Sequence, residues 1–312
     1  MSAATPKVNI LLSTYNGARF LQEQLDSLQS QNYPNIAIHI RDDGSTDSTF
    51  SLLQSYKGNS SHLNLIKGEN IGWKQSFLEL VRNCEDEPGD FYAFCDQDDI
   101  WKPGKVSRAV GRMQESPNPS RTLYCSRSIL VNSELRPLRL SPIPTQLNFE
   151  NAICDSAVLG CTTVFGQEIK RLLLKGNCHD MIGHDWWSYL VAAAFGEVIY
   201  DIDPQVFYRV HGSNVSTPRG GVQRLKYETK KFIEWLAKGR KEVDFLTQAE
   251  KFIETYNDSI PAEKKRIAEE FLMMVKSNKL LFRLHYLLSS KVFHNNPIDD
   301  TFLRLMLLFG CQ

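Results

Sequence analysis

No apolar run in the 312 residues approaches the roughly 18 that a membrane-spanning helix needs, so a protein integral to a membrane is not expected. Charge of one sign is lacking too. The 36 Lys plus Arg balance 36 Asp plus Glu, which leaves no overall field to draw nucleic acid. Paired cysteines are also missing. The seven thiols, at 84, 95, 125, 154, 161, 178 and 311, are odd in number and include no C-x-x-C. That argues against a disulfide framework or zinc site and for reduced thiols in a cytosolic compartment. The opening MSAATPKVNILLSTYNG enters a strand pattern at once and lacks signal-peptide architecture, so a cytoplasmic chain is expected. There is no internal repeat and no low-complexity tract.

What is present is a clean alternation. VNILLST (8–14), IAIHI (36–40), LNLI (63–66) and FYAFC (91–95) are short β-rich runs. Helical patterns separate them: Phe20, Leu21, Leu25 and Leu28 share a face of the first, Leu52 and Leu53 mark the second, and Trp73, Phe77, Leu80 and Val81 the third. Such alternation predicts a parallel sheet covered on both faces, with ligands beyond the carboxyl ends of its strands. STYNG, RDDGSTD, KGENIG and CDQDDIW all fall at those ends, so four polar clusters converge on one rim. From about 117 to 215 prolines break the pattern. There TLYCSRSILV and AVLGCTTVF read as strands, HDWWSYLVAAAFG as a helix stopping at Gly196, and EVIYDID and QVFYRVHGSN as two strand-like pieces. From about 222 the pattern is helical, with breaks near Pro261 and Pro297.

FYAFCDQDDIW brings Asp96, Asp98 and Asp99 together at the mouth of a buried strand. Carboxylates that close repel one another unless a cation or bound protons compensate them. A solvated acidic turn is one reading. The other is an oxygen-ligand site for Mg2+ or Mn2+, ions held by one or two carboxylates plus substrate phosphates. A lone D-x-D is a weak signal, but one ending a fourth strand, with DDGSTD ending the second, is strong. In RDDGSTD, Gly44 permits a sharp turn and Ser45, Thr46 or Asp47 can cap the next helix. Turn chemistry leaves the adjacent acids Asp42 and Asp43 unexplained, and a carboxylate there can accept the imide N–H of uracil or thymine. The aspartyl phosphatase pattern D-x-D-G-T is a superficial rival, set aside because its nucleophile follows the first strand. In GHDWW, Asp185 reads equally as a helix cap and as a catalytic base. His211 alone reads as structural, and Cys95, Cys154 and Cys161 as small buried hydrophobes.

Together, LLSTYNG, RDDGSTD, ENIG, CDQDDIW and HDWW resemble the inverting glycosyltransferases of family 2, with the GT-A fold, over about residues 7–215. Within that family the likeness is to bacterial rhamnosyltransferases that build cell-wall or capsular polysaccharide. The resemblance implies an α/β fold, a Rossmann-like, mostly parallel sheet flanked by helices. The catalytic domain would span 1–220, with 7–115 for the nucleotide sugar and 116–220 for the acceptor, and 221–312 would be a helical extension. By the same resemblance Thr14, Tyr15 and Asn16 line the base pocket with Asp42 and Asp43, Asp42 reading the pyrimidine. Asn70, Gly72 and Lys74 border the nucleotide, although WKQSF stands where the family often has an Arg-Asn pair. Asp96 and Gln97 lie near the ribose and diphosphate, Asp98 binds Mn2+ or Mg2+ with His211 as a further ligand, and Arg209 is a counter-charge to the diphosphate. Asp185 is the base, with Asp155 or Asp180 next in line. His184, Trp186 and Trp187 meet the acceptor, one of the two tryptophans being core.

The implied donor is a dTDP- or UDP-linked sugar, rhamnose first, and the implied acceptor a glycan carried on polyprenyl diphosphate. A nucleotidyltransferase and an idle GT-A binding module are the competing classes. The first usually has a Gly-rich basic loop after its first strand, where STYNGARF offers one Gly and one Arg; the intact acids argue against the second. Between Arg224 and Lys241 seven Lys or Arg stand against Glu228 and Glu234. With Leu225, Phe232, Ile233, Trp235 and Leu236 among them, this is either a docking helix or an interfacial helix on an anionic membrane, at the inner face of the cytoplasmic membrane. FLRLMLLFG reads as core, a homodimer contact or a second membrane touch.

Overall fold

The unbroken apolar run of the first strand predicts burial on both faces, and Val8, Ile10, Leu11 and Leu12 are all fully buried. The computed structural model describes residues 5–58, 62–85, 87–212, 221–240, 243–277 and 279–310. β1 (Val8–Thr14), β2 (Ile36–Asp42), β3 (Leu63–Lys67) and β4 (Phe91–Cys95) alternate with α1 (Ala18–Gln29), α2 (Thr49–Gly58) and α3 (Trp73–Asn83). β1 pairs in parallel with both β2 and β4, and β2 with β3. The chain therefore leaves β1 towards β2 on one side and returns as β4 on the other. Where strand order reverses in this way, the connections diverge and leave a crevice beyond the carboxyl ends.

The chain continues through β5 (Ile100–Trp101), α4 (Lys105–Gln114), β6 (Thr122–Val131), β7 (Pro137–Leu140), α5 (Phe149–Ala152), β8 (Val164–Gly166), α6 (Gln167–Leu173), α7 (His184–Phe195) and β9 (Glu197–Arg209). The sheet runs β3-β2-β1-β4-β8-β6-β9-β5, with β7 on β6. Two expectations are corrected. AVLGCTTVF is mostly not strand: 160–162 form a short 3-10 turn and only Val164–Gly166 pairs. The Thr162 and Thr163 hydroxyls donate to the carbonyls of Leu159 and Gly160, a local bond that competes with a sheet ladder. EVIYDID and the QVFYR that opens QVFYRVHGSN, in turn, join in one strand, Glu197–Arg209, through Pro204; Ser213 and Asn214 lie outside the described residues. The register against β6 jumps from Ser126↔Asp201 to Ser128↔Val206, so the proline's missing donor falls at an irregularity.

Contacts divide the chain into two compact units, 1–143 with 158–192 and 196–213, and 144–157 with 193–195 and 214–312. In the second unit α8 (Gly221–Ala237), α9 (Asp244–Tyr256), α10 (Ala262–Lys276), α11 (Leu280–Ser289) and α12 (Pro297–Phe309) follow α5. α12 packs on both α8 and α11, with Leu303 and Leu307 buried. The segment read as core, dimer contact or membrane touch thus contributes to the unit's core. Phe232 of α8 meets Phe302 and Phe309, and Trp235 is buried, while Leu225, Ile233 and Leu236 stay exposed. Asp155 also belongs to this unit. It accepts bonds from the Asn295 N–H at 2.9 Å and Asn151 Nδ2 at 3.0 Å, and faces His294 Nδ1 at 3.4 Å. Burial alone would raise its pKa, but His294, Asn151 and the Asn295 N–H outweigh that and hold it at about 2. Its carboxylate is a structural tie. Asp155→Ala strands those donors and is expected to lower stability by about 2 kcal/mol, read as a lower denaturant midpoint at unchanged slope. An unchanged midpoint would show the tie to be idle.

Candidate active site

The crevice between β1 and β4 is stitched by side chains. Gln97, just past β4, clamps the loop after β1 from both sides: its Oε1 accepts the Tyr15 N–H at 2.9 Å and its Nε2 donates to the Tyr15 carbonyl at 3.1 Å. Asn16 adopts φ +48 and its Oδ1 accepts the Thr46 N–H at 2.8 Å. Asp42 is fully buried, accepting bonds from Thr14 Oγ1, Ser45 N–H and Ser45 Oγ. Asp43, also buried, pairs with Arg41 and accepts the Ile71 and Gly72 N–H groups at 3.0 and 2.9 Å. Gly44 has φ +77, and a Cβ there would stand 2.8 Å from the Asn70 nitrogen, so any other residue would push away the loop that carries Asn70.

The two acids at the end of β2 are therefore committed to loop geometry in this structure, and neither carboxylate is open to a base. Tyr15, at 45% exposure, and Asn70 remain open on the same rim. Lys74 Nζ donates to the Met181 carbonyl at 2.8 Å, tying α3 to the segment before α7.

At the end of β4 the acids do converge. A carboxylate oxygen of Asp96, one of Asp99 and the Cys161 sulfur all lie within 4.8 Å of one another. Asp99 is buried; its Oδ1 accepts the Arg209 N–H at 2.9 Å, and its Oδ2 has no hydrogen-bond partner among the described residues. Burial, then repulsion from Asp98, pushes its pKa up to about 7, although the Arg209 N–H and Cys161 pull the other way. Asp96 is raised well above the ordinary carboxylate range, first by burial and then by Asp99, Asp98 and Asp185. That last contribution brings Asp185 of α7 into the same electrostatic neighbourhood. Asp98 Oδ2 meets His211 Nε2 at 2.8 Å. Burial, then Asp99 and Asp96, pushes the Cys161 thiol far up, so it stays protonated.

Asp185 stands in the first turn of α7, half-buried, and is not the N-cap, which is Gly183. Trp186 is half-buried beside it. Of the expected acceptor contacts, His184 is corrected, and Trp187 is the one of the two tryptophans that belongs to the core. Trp187 is fully buried, and His184, 6% exposed, is walled in by Phe77, Phe94 and Trp73 with ring centroids at 3.9, 4.5 and 5.6 Å. Burial lowers the His184 pKa to about 4, against the opposing pull of Asp185, so the ring is neutral packing. Arg209 is corrected too. At 1% exposure it donates to the carbonyls of Asp98 and Ser133, pairs with Glu23 and lies over Phe20; it props up the acid loop from behind.

Lys105 was not foreseen. It is fully buried with its Nζ 3.3 Å from the Trp101 ring centroid and no hydrogen-bond partner among the described residues. Burial lowers its pKa to about 7, while Cys95, Cys161 and Asp99 pull it back up. Neither its burial nor the approach of Cys161 to the acids leaves a mark in the local sequence pattern.

A family model described as glycosyl transferase family 2 matches residues 9–186, more than half of the chain. The chain belongs to glycosyl transferase family 2. It is 29% identical over 213 residues to the dTDP-rhamnosyl transferase RfbG of Shigella flexneri, covering 65% of this chain and 72% of that one. Other relatives match over 38% of their own length. Among solved structures, S. aureus TarS residues 1–349 superposes with a TM-score of 0.54 at 15% identity, over 96% of this chain and 90% of that one. The mannosyltransferase PcManGT of Pyrobaculum calidifontis, solved with GDP-Man and Mn2+, gives 0.52 at 16%, over 98% and 86%. The fold is that of the GT-A transferases.

Transferases of this fold generally use a divalent metal, and the residues present fit one. Asp96, Asp98 and Asp99 offer hard oxygen donors, one of them an orphaned buried oxygen, and their repulsion is what a cation relieves. A carboxyl whose native pKa exceeds its unfolded value of 3.8 keeps a proton that the unfolded chain has lost. Stability therefore falls as pH rises from about 4 through 7, and protons compete with a cation in that window. Mn2+ is expected to raise the melting temperature clearly at pH 8 and much less at pH 5.5. Equal shifts at the two pH values would contradict this account of the cluster.

Proposed function

We propose that this glycosyltransferase moves rhamnose from dTDP-rhamnose to a hydroxyl of a growing cell-surface polysaccharide or lipid-linked glycan, with inversion at the anomeric carbon. The observation that carries the reading is the meeting of two kinds of carboxylate on one rim. Three acids end β4, and Asp185 opens α7 close enough to raise Asp96. Asp98 with His211, and Asp96 or Asp99 beside them, would hold Mn2+ or Mg2+. When bound, that ion offsets the charge of the diphosphate leaving group. Tyr15 presents an open ring for the base, and Asn70 and Gly72 border the nucleotide. Thr14, Asn16, Asp42, Asp43, Gln97 and Lys74 shape the wall rather than touch the ligand.

In the transfer itself, Asp185 takes the proton of the acceptor hydroxyl. The oxygen then bonds to C1 from the face opposite the diphosphate, and the bond from C1 to the diphosphate oxygen breaks with its electron pair leaving on the nucleotide. Trp186 supplies an apolar wall for the acceptor sugar. The likeness to RfbG favours rhamnose on dTDP. A UDP-linked hexose is the second reading, since TarS has been solved with UDP-GlcNAc. A polyprenyl-linked acceptor would place the work at the inner face of the cytoplasmic membrane.

A panel of nucleotide sugars with Mn2+ separates these readings by thermal shift and by product formation on a glycan acceptor. dTDP-rhamnose is expected to give the largest of both; preference for a purine nucleotide, or reaction of a nucleoside triphosphate with a sugar phosphate, would overturn the assignment. Asp98→Ala is expected to lose the metal-dependent part of the donor shift. Asp185→Asn is expected to keep that shift while turnover falls about 100- to 10,000-fold. Near-normal turnover in Asp185→Asn would remove Asp185 from the role of base.

A further inference from the structure

The second unit carries an apolar face that its own packing does not cover. On α11 only Tyr286 is buried. Leu280, Leu281, Phe282, Leu284 and Leu288 point outward, Leu281 at 82% and Leu288 at 91% exposure. Positions 280, 281, 284 and 288 fall within about 100° of one another around the helix, so these four leucines form a single stripe, and Phe282 lies off it, nearer the side of buried Tyr286. Single exposed leucines need no explanation, but a contiguous stripe of them marks an interaction site.

Two observations say what covers it. The first is charge. From Phe271 to Ile298 the sequence contains Lys276, Lys279, Arg283 and Lys291 and no carboxylate at all. Lys279 and Lys291, which bracket α11, are exposed and form no ion pair among the described residues. The second is size. A stable dimer buries roughly 800 Å² per partner over 20–30 residues, whereas this face is four leucines on a ten-residue helix, about 15 Å long. An apolar stripe that short, bracketed by cations, has the chemistry of a helix lying in a membrane interface. Its leucines enter the boundary between headgroups and acyl chains, and its lysines meet anionic lipid.

We propose that α11 seats this chain on an anionic phospholipid bilayer, peripherally and reversibly, with Leu281, Leu284 and Leu288 as the inserted residues. The proposal rests functionally on the reading of a lipid-linked acceptor and geometrically on α11 alone. It differs from the expectation drawn from residues 224–241, because α8 turns Phe232 and Trp235 inward onto α12. The inserting element is α11.

The test is sedimentation of the full chain with phosphatidylglycerol–phosphatidylethanolamine vesicles and with pure phosphatidylcholine vesicles, at low and high salt. The wild type should pellet with the anionic vesicles and be partly released by salt. The triple variant Leu281→Asp, Leu284→Asp, Leu288→Asp should lose at least tenfold in partitioning, and Lys279→Gln with Lys291→Gln should lose only the salt-sensitive part. A Leu288→Trp variant should show a blue-shifted emission quenched by brominated lipid, a readout that survives even if the triple variant folds poorly. The idea is sunk if the wild type ignores both vesicle types or if the emission of the Leu288→Trp variant does not respond to lipid. It also fails if the chain forms a concentration-dependent dimer through this face without binding vesicles. The thermal shift with dTDP and Mn2+ is measured alongside: its loss in the wild type would strike the donor reading and leave the vesicle result standing on its own.

Discussion

Mutual repulsion among Asp96, Asp98, Asp99 and Asp185 is the constraint around which the catalytic unit is arranged. Left alone in a partly dry crevice, these carboxylates would drive the end of β4 apart from the start of α7. The fold prevents this by fixing the backbone that bears them. The Arg209 N–H and guanidinium hold Asp99 and the Asp98 carbonyl from β9, and buried Lys105 sits beneath with a positive charge that burial itself weakens. What is left over is an electrostatic deficit on the open side, where a cation and a diphosphate would complete it. Electrostatic preorganisation of this kind costs nothing at the moment of reaction, because the folded scaffold already holds the groups in place.

The same crevice shows how a polar motif can be divided between function and support. Four loops meet at the reversal of strand order, and a loop with unsatisfied backbone groups there would not hold a shape. Gln97 satisfies Tyr15 on both backbone groups, Asn16 satisfies Thr46, and Asp43 satisfies Ile71 and Gly72. These are the residue types that also bind ligands, since both tasks need short side chains with hydrogen-bonding ends. Burial separates the two uses. Asp42 and Asp43 are covered, and Tyr15 is open.

Much of the architecture was legible because the first four strands announce themselves by apolar runs ending in polar clusters, and β1, β2, β3 and β4 lie where those runs stand. The resemblance names Asp98 and His211 as metal ligands, the structure sets them 2.8 Å apart, and cation binding by the pair is the proposal made above. The failures have a common physical cause. Sequence shows residue type but not the depth at which a side chain lies. His184 and Arg209 have polar ends suited to a sugar or phosphate, yet each is enclosed by partners distant in sequence, and which of Trp186 and Trp187 belonged to the core was not legible. The approach of Cys161 to Asp99, and the exposure of the α11 leucines, are likewise products of tertiary packing.

The most direct test of the central claim is calorimetric titration of dTDP with Mn2+ into the protein at pH 7, repeated in two buffers of different ionisation enthalpy. If the clustered acids hold protons until a cation replaces them, binding will release on the order of one proton per site. The apparent enthalpy will then differ between buffers accordingly. Identical enthalpies in the two buffers, or nucleotide binding of equal strength in the presence of a chelator, would contradict the claim that these carboxylates form a cation-dependent donor site.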